Sequence, residues 1–159
     1  MRTSDWPAAT TEEILKYLRY LLVALHCTQW SVMLAEECVP HEATAEEMGT
    51  YAIVHTSSDV NTAVLQVCDA WETISDVQRR QTLVHEVLHL VVKDLDRRAN
   101  FWAHTLADDS IRTSVLMDIG NSVERTTEAL ALILAPHLMQ YGDGIGSYPE
   151  ATARREADW

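Results

Sequence analysis

Basic charge is scarce in this chain of 159 residues. Its 12 Lys and Arg face 24 Asp and Glu, for a net charge of −12, and only Lys16 and Lys93 are lysines. A nucleic-acid binder needs a basic stripe along its surface, and none is present. An anionic membrane surface is disfavoured on the same ground. No run of 18 apolar residues occurs, so no membrane-spanning helix is expected. The opening MRTSDWPAATTEEIL carries acids where a signal peptide has its basic and apolar regions, and the expected location is cytoplasmic. Cysteine is also sparse. Cys27, Cys38 and Cys68 are odd in number and lack a repeated spacing, which excludes a disulfide framework. Cys38-x-x-His41 has the spacing of half a metal site, but no second pair follows it. Repeats and low-complexity stretches are absent between residues 10 and 140.

What is present suits one globular domain. Hydrophobic residues make up 47% and charged residues 23% of the chain, and the length is enough for a core without staples. The expected organisation is an arm over 1–9, a single α+β domain over 10–141 and a tail over 142–159. A helix is expected from Thr10 or Thr11 to about Cys27, on the spacing of Ile14, Leu18, Leu21, Leu22 and Leu25. Three strands follow over 28–36, 50–56 and 61–71, broken at Val39-Pro40-His41 and at Ser57-Ser58-Asp59. The last two are close enough to form a hairpin, and the small sheet is expected to be mostly antiparallel. Ser75 with Gln78 three residues on is a capping box, and opens a helix to about Asp96. Short helices are expected near 98–107 and 109–118. Gly120-Asn121 reads as a break, and a last helix runs from about Ser122 to Met139 with Pro136 as a kink.

The chemistry concentrates in the second long helix, at His85-Glu86-Val87-Leu88-His89. Residues i and i+4 share a helix face one turn apart. Two imidazoles so placed can bind one tetrahedral zinc ion. A glutamate beside them can take a proton from water that the metal has acidified to a pKa of about 7. The remaining positions from Leu83 to Val92 are apolar, so the helix is expected to be buried, and zinc would satisfy polar groups that are costly to bury.

A catalytic zinc uses three protein ligands, so a third must come from elsewhere. The HExxHxxGxxH pattern fails, because Val92 and Leu95 stand where its glycine and histidine belong. Glu124 and Glu128 lie on the later helix. Glu124 borders the stripe Val123, Thr127, Leu130, Leu134, and Glu128 falls about 40° further out. Glu124 is the better ligand candidate, and Glu128 is placed to hold a ligand histidine in its tautomer. His104 is the rival third ligand. Asp96 is two turns beyond His89, about 10 Å along the axis. Asp108, Asp109 and Asp118 read as caps or surface charges. A donor to the tetrahedral transition state is expected, with His55, Tyr141 and Tyr148 as candidates. Trp30 and Trp71 read as core or strand-edge packing.

With His85, Glu86, His89 and Glu124 in this order, residues 10–140 resemble the gluzincin branch of the zincin metallopeptidases, and most of all the very small zincin domains of phage and bacterial genomes. The resemblance implies zinc-dependent peptide hydrolysis with Glu86 as general base and His85, His89 and Glu124 as ligands. It also implies that the strand before the motif helix, Asn61–Trp71, is the edge of the cleft. A peptide substrate would then lie as an added strand against Leu65, Gln66 and Val67. The family's Asn-Glu-x-x-x-Asp is changed here. Val123 stands for the Asn, with Asn121 near, and Glu128 for the Asp. No separate specificity subdomain is present. The alternative is a catalytically silent zincin-like module that binds or regulates a partner, in a host cell or on a virion if phage-encoded. A third, a metal-free helical interaction module, predicts no bound metal.

Overall fold

A computed structural model describes residues 2–40, 51–57 and 61–142. The described residues are α+β, with three α-helices and a three-stranded mixed sheet. The elements are α1 (Ala8–Ala24), β1 (Ser31–Leu34), β2 (Ala52–Thr56), β3 (Thr62–Val67), α2 (Asp76–Ala103) and α3 (Asp109–Leu134). Among the described residues, no helix is long and apolar enough to cross a membrane.

Helix α1 starts two residues before Thr10, with Pro7 at its N-cap. Its buried face is Ile14, Tyr17, Leu18, Leu21 and Leu22. It closes in a Schellman motif. The Cys27 N–H donates to the Leu22 carbonyl at 2.7 Å and the His26 N–H to that of Val23 at 3.2 Å. His26 takes the left-handed conformation this requires, at φ 56°. Residues 1–9 are not a loose arm where described. Trp6 is buried, and the Thr3 N–H donates to the Glu36 carbonyl at 2.9 Å, so this stretch lies along the chain that leaves β1.

The sheet order is β1-β3-β2. The expected hairpin forms, with β2 antiparallel to β3 and Val54 opposite Leu65. The other pairing is parallel, with Val32 opposite Ala63, so the sheet is mixed rather than mostly antiparallel. Alternation along β3 buries Ala63, Leu65 and Val67 against the helices. Strand β3 is therefore the centre of the sheet, paired on both sides. That corrects the expectation that Leu65, Gln66 and Val67 form a substrate-binding edge: no ladder position is left on β3 for an added strand. The edge beside α2 is β2.

Helix α2 begins at its capping box, where the Gln78 N–H donates to Ser75 Oγ and the Ser75 N–H to Gln78 Oε1. It continues past Asp96 to Ala103 instead of stopping for a separate helix over 98–107. Helix α3 runs unbroken through Gly120-Asn121, starting where the Asp108 side chain accepts the N–H groups of Ser110 and Ile111. It ends at Leu134, and Ala135–His137 with Pro136 form one 3₁₀ turn. The core joins Ile14 and Leu18 of α1, Leu65 of β3, Trp71, and Leu83 and Val87 of α2. Trp30 and Trp71 belong to it, as expected. The three cysteines are free, and burial pushes all three thiols up. His41 and the turn at 58–59 lie outside the described residues, as do the residues after Gly142 that make up the expected tail.

Candidate metal centre

Helices α2 and α3 lie side by side and bring three side chains to one point. His85 Nε2 and His89 Nε2 are 3.0 Å apart. Glu124 of α3 reaches both, with Oε2 at 3.6 Å from His85 Nε2 and Oε1 at 3.6 Å from His89 Nε2. One ligand atom from each of the three lies within 4.8 Å of the others. For zinc bonded at 2.0–2.2 Å to N and O, neighbouring ligand atoms of a tetrahedron are roughly 3.4 Å apart. The His85–His89 edge and the contact of each Glu124 oxygen with one ring are near that length, so the residues fit an ion that takes the two imidazoles and the carboxylate. The His85 Nδ1 supports the same fit. It is buried, has no aligned hydrogen bond and faces Glu128 Oε2 at 3.3 Å. A proton on Nδ1 leaves Nε2 bare for a metal, and Glu128 faces that proton.

The local sequence explains this placement. His85 and His89 are one turn apart on α2, on the face opposite the buried Leu83, Val87 and Leu90. Helix α3 turns Thr127 inward, fully buried, with its hydroxyl donating to the carbonyls of Val123 and Glu124. That seats Glu124 at the rim, where its side chain is 63% exposed.

Glu86, in the lining of the same cleft, reaches toward β2. It is 7% exposed, and its Oε2 accepts the Val54 N–H at 2.8 Å. The ladder explains why that N–H is available. The Cys68 N–H donates to the Tyr51 carbonyl and the Ser57 N–H to the Thr62 carbonyl. In an antiparallel pair such bonds alternate, so residues 51, 53, 55 and 57 bond to β3 while 52, 54 and 56 face away from it. Burial raises the Glu86 carboxyl to about 8; the Val54 N–H works against the rise and the Glu124 charge adds to it. Burial lowers the His89 imidazole, which favours its neutral, ligating form, while Glu124 opposes that shift and His85 adds to it.

A cleft of about 690 Å³ opens over these groups. Val54 and Ile53 form one wall, Glu124 and Val123 the other, and Gln81 and Lys93 lie along α2 in its floor. Asp96 is in the cleft but apart from the trio, taken up by Lys93 Nζ at 3.2 Å and Asn100 Nδ2 at 2.7 Å. His104 caps the far end of α2, about 22 Å along the helix from His89, and is not in the cluster. The expected transition-state donors are elsewhere too. Tyr141 is buried between the rings of Tyr17 and Trp71, His55 is exposed on β2 outside the cleft lining, and Tyr148 lies outside the described residues. Tyr51 lines the cleft instead. Sequence reasoning missed Tyr51 and the Val54 N–H. The second has no side-chain signature, and only the hairpin register reveals it.

No family model matches the chain, and no curated protein or solved structure matches it.

Proposed function

We propose that the protein is a zinc-dependent peptidase of the small gluzincin-like kind. The observation that carries this reading is the group of His85, His89 and Glu124 with Glu86 beside it, facing a cleft walled by β2, the sheet edge among the described residues. His85 and His89 would hold the ion through Nε2 and Glu124 through its carboxylate, with Glu128 placed to fix the His85 tautomer. The bound ion supplies a water of pKa about 7 and polarises the carbonyl to be attacked.

The rest belongs to the chain's own groups. Glu86, oriented by the Val54 N–H, receives the proton of the attacking water and passes it to the leaving amine. Glu86 would serve as base in its ionised form, which a cation held by His85, His89 and Glu124 would favour against the effect of burial. The substrate is an extended peptide laid along β2, where Ala52 and Thr56 turn their backbone groups outward and Val54, its N–H given to Glu86, offers its carbonyl. This assignment replaces the β3 edge. Tyr51, in the lining of the cleft, is the candidate donor to the developing oxyanion.

The test is metal content and proteolysis of a broad peptide library by the parent and two variants. Glu86→Gln is expected to keep about one zinc per chain and lose at least about 100-fold in rate, the scale of general-base loss. His85→Ala with His89→Ala is expected to lose the zinc. A parent that binds zinc and cleaves nothing favours the silent, strand-binding module. A parent that takes up no zinc overturns both metal readings.

A further inference from the structure

The two ends of the cleft differ in charge. The Tyr51 end of β2 is tied to the start of α2. The Cys68 N–H donates to the Tyr51 carbonyl, the Trp71 N–H to that of Cys68, and Arg79 Nε to that of Trp71. Val54 meets Glu86 two turns further along α2, so strand and helix run the same way and Thr56 lies toward the other end. The first end is lined by Gln78, Gln81 and Thr82, which are uncharged, and the second by Lys93 and Asp96. Helix α3 runs against α2. His85 faces Glu128 and Glu124, and His89 faces Glu124. One turn on along α2, at Lys93, the matching turn of α3 is that of Gly120, which puts no side chain there. Nothing lies within 4 Å of a Cβ built on Gly120.

Among the described residues, Lys93 is the only Lys or Arg in the lining, against Glu86, Asp96, Glu124 and Glu128. It is four residues beyond His89, on the same face of the helix. Its ammonium has three N–H donors and one ion pair, with Asp96 Oδ2 at 3.2 Å, and its side chain is 35% exposed. Such an i, i+3 pair is worth little to the fold. Each Asp96 oxygen already has a donor, Oδ2 from Lys93 and Oδ1 from Asn100. What this end still lacks is an acceptor for Lys93, and an ionised one makes the stronger bond. We propose that Lys93 is a subsite for one carboxylate of the bound peptide, which deepens the peptidase reading and rests on it. Lys93 stands about 6 Å along the helix from His89, and an extended peptide advances about 3.3 Å per residue. The carboxylate therefore belongs about two residues from the bond that is cut. An acidic side chain and a free C-terminus share this chemistry. Acids at other positions meet Glu124 and Glu128 and are repelled, so the preference is confined to one position.

The probes are end-blocked peptides with a single Asp moved along a neutral sequence, their Asn counterparts, and the same neutral peptides ending in a free carboxylate or an amide. Cleavage by the parent and equilibrium binding to the Glu86→Gln protein, both in buffer containing zinc, are read for each pair. The carboxylate member is expected to win by at least about fivefold at one position. A preference in the Asp series identifies a side-chain carboxylate, and one in the free-ended series a C-terminal one. Lys93→Met is expected to bring the ratio to about one. Lys93→Glu is expected to reverse it, in favour of a Lys at that position, with unchanged helical circular dichroism. A parent that cleaves without any such preference overturns the subsite and leaves the peptidase reading standing, as does a preference that survives Lys93→Met. Lys93-dependent binding without cleavage supports the subsite and overturns the peptidase. A protein that neither binds nor cleaves any of these peptides overturns both.

Discussion

In the metal-free protein the folded chain holds the Glu86 proton up to a pH of about 8, whereas an ordinary carboxyl releases it near 4.5. The folded state therefore binds more protons than the unfolded state between those values, and stability falls as pH rises through that window. The contribution is full below 4.5 and gone above about 8. His89 acts in the opposite sense, because its lowered imidazole costs stability as pH falls below its ordinary 6.5. Glu124 and Glu128 face the same pair of rings. Glu86→Gln isolates the first effect, since the amide fills the same space without titrating. Melting of zinc-free parent and variant across this pH range is expected to show the variant gaining steadily on the parent. Parallel curves would mean that Glu86 is ionised in the fold. This behaviour follows from a backbone amide and a burial that the motif letters do not carry. Two histidines and a glutamate were legible as a group, and the surroundings that set their protonation were not.

Each helix shows what local sequence can and cannot determine. The Ser75–Gln78 box marked the start of α2 because a cap is a contact between near neighbours. The stripe of Val123, Thr127 and Leu130 marked the inward face of α3, and with it the position of Glu124. Gly120-Asn121 misled because glycine's helix cost, about 1 kcal/mol against alanine, is small beside the packing of a long helix on its neighbour. Nothing lies within 4 Å of a Cβ built on Gly120. Gly120→Ala is therefore expected to stabilise the protein by about 1 kcal/mol and raise the melting temperature by about 3 °C, read by thermal unfolding. A loss of stability would show that the helix bends there. The order of the strands was hidden for a different reason. Periodicity reports which face of β3 is buried, and Ala63, Leu65 and Val67 obeyed it. It does not report how many neighbours a strand has, and the parallel partner of β3 is more than thirty residues away in the chain.

At the scale of the molecule, the candidate metal centre is the place where α2 and α3 meet at the cleft. His85 and His89 come from one helix and Glu124 from the other, and the Glu124 side chain is largely in solvent. Without an ion the three hold each other weakly. An ion bound only by the folded state adds RT ln(1 + [L]/Kd), about 2.7 kcal/mol when free zinc is about 100 times Kd. Thermal unfolding with zinc and with a chelator is expected to differ by that order, and Glu124→Ala is expected to shrink the difference. Equal melting in both conditions would mean that the helices do not share an ion. The acidity of the chain acts at this scale too: under the proposed peptidase reading, 24 acidic groups against 12 basic ones favour basic or neutral peptides over acidic ones.

The pairing of β2 with β3 also limits how this protein can drift in length. Val54 offers its N–H to Glu86 only because even-numbered positions of β2 face away from the ladder. A slip of one residue would turn that N–H into the sheet and exchange the two faces of the strand. A slip of two keeps the parity and hands Glu86 the amide of Ala52 or Thr56. Insertions and deletions that move β2 against β3 are thus expected to survive selection in even steps, a mark that would outlast the identity of every side chain on the strand.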